Sequence, residues 1–469
     1  MDSDQAIISG CFGGLRLQSL FKRRSKQTVR PVPAALERNV SQPAPSMKAE
    51  KDERDFLSPS RDFSFGSPSD WWLPDESVLP PYTAGTSEGA LAAEKTIESS
   101  LDELEPELRK LSMKIHAWKA EFSHGTGGKG QMDALPGIGH ACGHNLIASS
   151  GCGIAVALKA ALENHDIPGK IVLLGTPAEE VGGGKIILLE RGGYDEMDFC
   201  VMSHPGPGPP HSFDAGNSTA VQTFKVEYLG KSAHAGASPW EGVNALDAAF
   251  MAYSGLSVLR QQMKPTYRSH GIVNGRDWIS NVIPDNASLR WQVRAPSRAE
   301  LIILVERVRN CFEAAALATG CTVQIDQDPP YYDVKQNPVL GQLVLSLSID
   351  SMRYQSCYHA IPTTAKIFSE IVQTQYGHSV YTYGSSASTD FGNVSYNLPA
   401  LHPMYSIPTE PNGGNHTPAF AKAAKSKEAH AATMISTRAL ARTALRFLEN
   451  DQLFGEMKGA FESSRQLAF

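Results

Sequence analysis

No uninterrupted apolar run in the chain approaches the roughly 20 residues that a membrane-spanning helix requires, and the start of the sequence lacks the basic, apolar and small-residue order of a secretory signal. Positive charge is not in excess either. Lys and Arg number 43 against 49 Asp and Glu, a formal charge of −6, so nucleic acid is not the expected partner. Seven cysteines, an odd number spread over 469 residues, do not form the pattern of a disulfide framework. Several lie among apolar neighbours, where a reduced Cys packs as a small hydrophobe. These absences lead us to expect a soluble, cytoplasmic protein with neither a nucleic-acid nor a membrane partner. What remains is an ordinary globular composition, 41% hydrophobic and 20% charged, with length enough for two or three domains.

Order is unevenly distributed. Residues 1–95 are rich in Ser, Pro and mixed charge, and they show no sustained period. Such a segment buries too little apolar surface to offset chain entropy, so a disordered tail is expected. Lys22, Arg23, Arg24 and Lys26 form a basic cluster within it, and Trp71-Trp72 is a candidate docking pair. From about residue 99, Leu101, Leu104, Leu108, Leu111 and Ile115 recur at helical steps. Gly153 to Leu162 reads as an Ala-rich helix and Lys170 to Thr176 as a buried strand. This alternation predicts an α/β core with a mixed, largely parallel sheet. Between 218 and 329 the predicted order becomes β-α-β-β-α-β, that of a ferredoxin-like sandwich, and mixed α/β character returns from 335 to 448. The expected organisation is one catalytic domain, 96–217 and 330–450, interrupted by a smaller domain at 218–329.

Polar chemistry concentrates in a few glycine-flanked places. In Asp133-Ala-Leu-Pro-Gly-Ile-Gly-His-Ala-Cys142-Gly-His144-Asn145, an extended backbone would turn Cys142 and His144 to one side, where thiolate and imidazole can grip one ion. A packed thiol beside a histidine is the plainer alternative. Glu179 and Glu180 follow the predicted strand, where α/β folds place their ligands. Adjacent carboxylates need compensation, by solvent or by a cation. His204 follows another apolar run, and His416 stands in Gly-Asn-His-Thr-Pro. Together Cys142, His144, a carboxylate of the Glu pair, His204 and His416 offer five donors, a number suited to two divalent ions with a bridging water.

The stretches DALPGIGHACGHN, GTPAEEVGGGK, MSHP, GKSAHAGASPWEGVNALDAA, NVIPDNASLRWQVRAP, STDFGNVS and NHTPAF occur in the order found in the M20 metallopeptidase family. Over residues 99–448 the chain resembles its amidohydrolase and aminoacylase branch. The resemblance implies an M20-type catalytic domain carrying a ferredoxin-like lid, which often serves as a dimerisation surface, hence a homodimer. It further implies Cys142, His144, Glu180, His204 and His416 as ligands of two divalent metal ions. Zn²⁺ is the first choice because of the thiolate, with Mn²⁺ or Co²⁺ as alternatives. Glu179 would be the general acid/base and Asp133 a residue orienting a ligand. His234 would be an oxyanion donor reaching a neighbouring subunit, and Asn281 and Arg294 would bind the substrate carboxylate. The implied reaction is hydrolysis of a dipeptide, with a basic C-terminal residue as in the dipeptidase-like members. Asp390 is a candidate partner for that residue's ammonium group.

Two departures stand out. Asn145 follows the metal-binding His where much of the branch has Asp, as it does in the dipeptidase-like members. More seriously, residues 116–132 stand where the family has a helix and several strands, so the first strands of the catalytic sheet are missing and an exposed edge is expected. Two other readings therefore stay open: an amidohydrolase for an N-acyl amino acid or a specialised-metabolite amide, and a non-catalytic scaffold.

Overall fold

A computed structural model describes residues 88–117, 133–337, 339 and 366–466. Most of the expected tail, with its basic cluster and Trp pair, lies outside these residues, as does the short segment 118–132.

The first described helix, α1 (Glu88–His116), starts upstream of the expected residue 99, so the expected tail boundary at 95 falls inside it. Its buried stripe extends back from Leu101 through Ile97 to Ala93, continuing the four-residue step into a stretch too poor in large apolar residues to signal a helix. Charge pins the same stretch. Arg438 bonds Glu98 at 2.6 Å, and Arg442 pairs with Glu94, both arginines standing on α9 (Lys427–Leu448). Between α1 and α9 runs α2 (His144–Asn164), whose apolar face belongs to the same core. The helix α10 (Asp451–Gln466) carries the fold beyond the expected limit of 450, burying Leu453, Met457 and Phe461.

The sheets of this part are small. After α3 (Gly184–Glu190), short strands β1 (Cys200–Val201), β2 (His204–Gly206) and β3 (Ser212–Asp214) precede the inserted domain. After it come α6 (Lys366–Tyr376), β8 (Ser379–Tyr381), α7 (Phe391–Ser395), β9 (Ala400–Leu401), β10 (Met404–Ser406) and α8 (Pro418–Ala423). The main sheet has the order β2-β10-β3-β8, in which β10–β2 and β3–β8 are parallel and β10–β3 is antiparallel, while β1 and β9 form a separate parallel pair. The fold is thus mixed α/β, with parallel and antiparallel pairs together.

One predicted strand is not formed. Residues 167–178, which include Lys170 to Thr176, adopt neither strand nor helix. Ile171 and Leu174 pack against core clusters, whereas Val172 and Leu173 are 43% and 49% exposed. A strand exists by its neighbours' hydrogen bonds, and among the described residues no strand pairs with this segment.

The inserted domain consists of β4 (Ala220–Leu229), α4 (Ala245–Leu259), β5 (Arg268–Gly275), β6 (Asn286–Ala295), α5 (Arg298–Thr319) and β7 (Thr322–Gln327). Its sheet is antiparallel throughout, in the ferredoxin-like order β7-β4-β6-β5. Alternation along β6 sends Leu289, Trp291 and Val293 into a core shared with α4 and α5. Asn244 and Ser297 cap the two helices, each side chain accepting from a first-turn amide.

Candidate metal centre

Four chain segments converge at one end of α2. Cys142 stands in the turn before that helix, and His144 is its first residue, with Gly143 between them in the left-handed region at φ 78°. No other residue fits there: a Cβ on Gly143 would come within 2.5 Å of Pro205 Cγ. Glu179 and Glu180 occupy the turn ahead of α3. His204 opens β2, and His416 precedes α8, where its amide donates to the Ala141 carbonyl at 2.8 Å. Asp133, Ala178 and His416 all have positive φ, at 59°, 68° and 68°, although none is glycine. Such strain, of order 1–3 kcal/mol per residue, persists where the surrounding structure holds it and is concentrated at functional sites.

These segments bring five expected donors together. Cys142, His144 and His204 form one group, Cys142, Glu180 and His416 a second, and His144, Glu179 and Glu180 a third, each with its ligand atoms within 4.8 Å of one another. The Cys142 sulfur is 3.4 Å from His204 Nε2. Glu180 Oε1 is 3.3 Å from His416 Nε2 and 3.7 Å from His144 Nε2. Glu179 Oε2 lies 3.8 Å from the same His144 nitrogen. Despite this crowding, His144 Nε2 and Glu180 Oε1 are buried without a hydrogen-bond partner. Buried polar atoms of that kind are costly unless something satisfies them, and a cation does so for lone pairs that point at a common centre. By this test the donor set fits divalent metal.

Electrostatics agree. Burial, and then the charges of Glu180 and Glu179, push the Cys142 thiol pKa up, which a bound cation would reverse. Burial brings His204 down to about 4, leaving a neutral imidazole with a lone pair to offer, and its Nδ1 lies 2.7 Å from the Pro205 carbonyl, which fixes the ring. Burial raises the Glu179 carboxyl above its ordinary value, against the pull of His144 and Lys185. For Glu180 and Asp133 burial also acts upward, but His416 and His144 respectively outweigh it and hold both carboxyls low. Asp133 lies behind His144, with Oδ2 3.7 Å from Nδ1, and its two oxygens accept the amides of Ala178 and Glu179 at 3.0 Å.

A model of peptidase family M20/M25/M40 matches residues 129–437. The chain belongs to that family. Among its curated relatives, the Xaa-Arg dipeptidase of Mus musculus is 42% identical over 339 residues, covering 72% of this chain and 73% of the relative. The Homo sapiens protein of the same name is 41% identical over 340 residues, 72% of each chain. Among solved structures, a protein assigned as an aminohydrolase from methicillin-resistant Staphylococcus aureus superposes with a TM-score of 0.54 at 18% identity, over 77% of this chain and 99% of that one, a likeness of fold.

Other expected residues of this M20 chain lie elsewhere. Asp390 is not open to a ligand: it is fully buried, and Lys185 takes both its oxygens, through the amide at 2.8 Å and Nζ at 2.7 Å. The sequence concealed this because Lys185 stands 205 residues away. His234 and Asn281 are exposed on the inserted domain, linked by the Ala235 amide to the Asn281 carbonyl, and His234 makes no hydrogen bond or ion pair with the five donors. His234 Nδ1 accepts the amides of Gly236 and Ala237 at 3.1 Å, which places the ring proton on Nε2. Arg294, half-buried on β6, donates to Ser388 Oγ at 2.9 Å.

Asn145 is completely buried. Its Nδ2 donates to Ser112 Oγ at 2.9 Å and to the Ala424 carbonyl at 3.0 Å, tasks a carboxylate cannot perform. Sequence reasoning gave no role to Asn415, whose Nδ2 donates to the Pro205 carbonyl at 3.2 Å and lies 3.8 Å from the Cys142 sulfur. Its place beside His416 was the only signal.

Proposed function

We propose that this chain is a metal-dependent dipeptidase that hydrolyses dipeptides with a basic C-terminal residue, a reading supported by its likeness to two proteins named Xaa-Arg dipeptidase. The observation that carries the chemistry is the convergence of Cys142, His144, Glu180, His204 and His416, with buried His144 Nε2 and Glu180 Oε1 unsatisfied by the protein. These five residues would hold two divalent ions, Zn²⁺ first and Mn²⁺ or Co²⁺ as alternatives, since sulfur, imidazole and carboxylate together suit all three.

When bound, such ions supply Lewis acidity to the scissile amide and acidify water beside it. The protein supplies proton transfer and orientation. Glu179, half-buried and with a raised pKa, takes the proton of the attacking water on a carboxylate oxygen and returns it to the leaving amine. Asp133 orients His144 from behind and holds the backbone at Glu179. His234, with its proton on Nε2, is a preset donor for the developing oxyanion, and we assign it to a partner subunit's site, reached through the inserted domain, because it is exposed and bonds none of the five donors of its own chain. Asn281, beside it, and Arg294 are the candidates for the substrate carboxylate.

Residues 167–178, which form neither strand nor helix, favour one rival, a non-catalytic scaffold. A single experiment separates them: rates over α-aminoacyl and β-alanyl dipeptides ending in Arg, Lys, ornithine or a neutral residue, before and after chelation and with Zn²⁺ or Mn²⁺ restored. Hydrolysis that favours basic C-termini, stops on chelation and returns with metal is the expected result. A metal-free protein with no hydrolysis of any dipeptide would leave the scaffold.

A further inference from the structure

The two segments that join the inserted domain to the rest of the chain run side by side. Val221, at the start of β4, and Tyr331, beyond the end of β7, exchange backbone hydrogen bonds at 2.8 and 3.0 Å. Asn393, within α7, braces the outgoing segment, its Oδ1 accepting the Tyr332 amide and its Nδ2 donating to the Pro330 carbonyl. From this paired linker the Tyr331 side chain reaches the turn that bears Glu179. Its hydroxyl donates to the Glu179 carbonyl at 2.8 Å and accepts the Gly183 amide at 2.9 Å.

Both peptide groups flanking the Glu179 Cα are thereby tied. Asp133 holds the amide on one side and Tyr331 the carbonyl on the other, so the backbone can no longer swing the carboxylate. Gly183, whose amide the hydroxyl accepts, sits at φ 65° as the cap of α3, and Ala178, at φ 68°, begins the turn. Ala178, a non-glycine residue held at positive φ, gives the turn another conformation to relax into once a tie is lost.

We propose that Tyr331 is a positioning residue that aims Glu179 from the paired linker, so that the setting of the inserted domain and the direction of the catalytic carboxylate are linked; this rests on the dipeptidase reading above. The test compares Tyr331→Phe with the unaltered full-length chain, both loaded with Mn²⁺ or Zn²⁺. Phe keeps the ring and loses only the hydroxyl. A kcat lower by about tenfold is expected, of the size produced by a small misplacement of a reacting group, with KM within about twofold and metal content and Tm unchanged. Amide hydrogen exchange over 179–183 should quicken in the variant. Tyr396→Phe serves as control, because Tyr396 donates to Asp333 in the same linker region without touching the turn. Unchanged kcat and exchange in Tyr331→Phe, a loss of Tm accompanying the loss of rate, or an equal fall of kcat in Tyr396→Phe would each overturn the proposal. If the unaltered chain hydrolyses nothing, the dipeptidase reading fails, and the exchange comparison still decides whether Tyr331 holds the turn.

Discussion

Asn145 shows how much one atom type can decide. Its amide nitrogen ties α2 to Ser112 on α1 and to the carbonyl of Ala424 after α8, and the residue is wholly buried. Asn145→Asp should therefore destabilise the chain by about 2–4 kcal/mol, since it turns a donor facing an acceptor into an unpaired buried carboxylate. Urea denaturation measures this, and an unchanged midpoint would refute the pairing. Gly143→Ala acts differently. Its left-handed φ and the 2.5 Å approach to Pro205 predict a displaced Cys142–His144 step, seen as at least tenfold weaker metal binding with α2 otherwise intact. The five donors stood out as candidates because Cys142 and His144 flank Gly143, His204 follows an apolar run, and Glu180 and His416 lie two residues from Gly182 and Gly414, all within recognisable stretches. Asp390 was misread for the opposite reason. A carboxylate in a loop-like stretch looks available to a ligand until its long-range partner, Lys185, is known.

Among the elements, the inserted domain was the most legible. Its strands alternate with period two and its helices carry polar caps, so local pattern and tertiary order agree. Residues 170–176 show the limit. The apolar run Ile171-Val172-Leu173-Leu174 signals a buried strand, but burial depends on neighbours that local sequence does not reveal, and Val172 and Leu173 face solvent. Replacing Leu173 with Lys should change stability by no more than about 0.5 kcal/mol, where the same change in a truly buried strand would cost several. It should also reduce aggregation on warming, because an exposed apolar side chain is removed. A large drop in Tm would mean that these side chains are covered in solution.

For the molecule as a whole, acid should reveal the buried histidines. His402 packs 5.1 Å from the Phe391 ring, its Nε2 has no hydrogen-bond partner, and burial brings its pKa from 6.5 down to about 3. Below pH 6.5 the unfolded chain takes up a proton there that the folded chain refuses until about pH 3, so stability falls throughout that window as pH falls. His140 and His204, both brought to about 4 by burial, act in the same sense. His144 and His416 act in the opposite sense. Their pKa values are raised, His416 chiefly by the adjacent Glu180 carboxylate, and the stability they contribute is present at low pH and lost as pH rises through the folded value. The net slope therefore mixes the two groups, and a single variant isolates one term. Between pH 6.5 and 5, His402→Gln should lose on the order of 1.5 kcal/mol less than the unaltered chain, the amount for one suppressed protonation over that interval. Denaturation midpoints at pH 6.5, 5.75 and 5 in chelator measure the difference, and parallel curves for the two proteins would show that His402 is protonated alike in the folded and unfolded states.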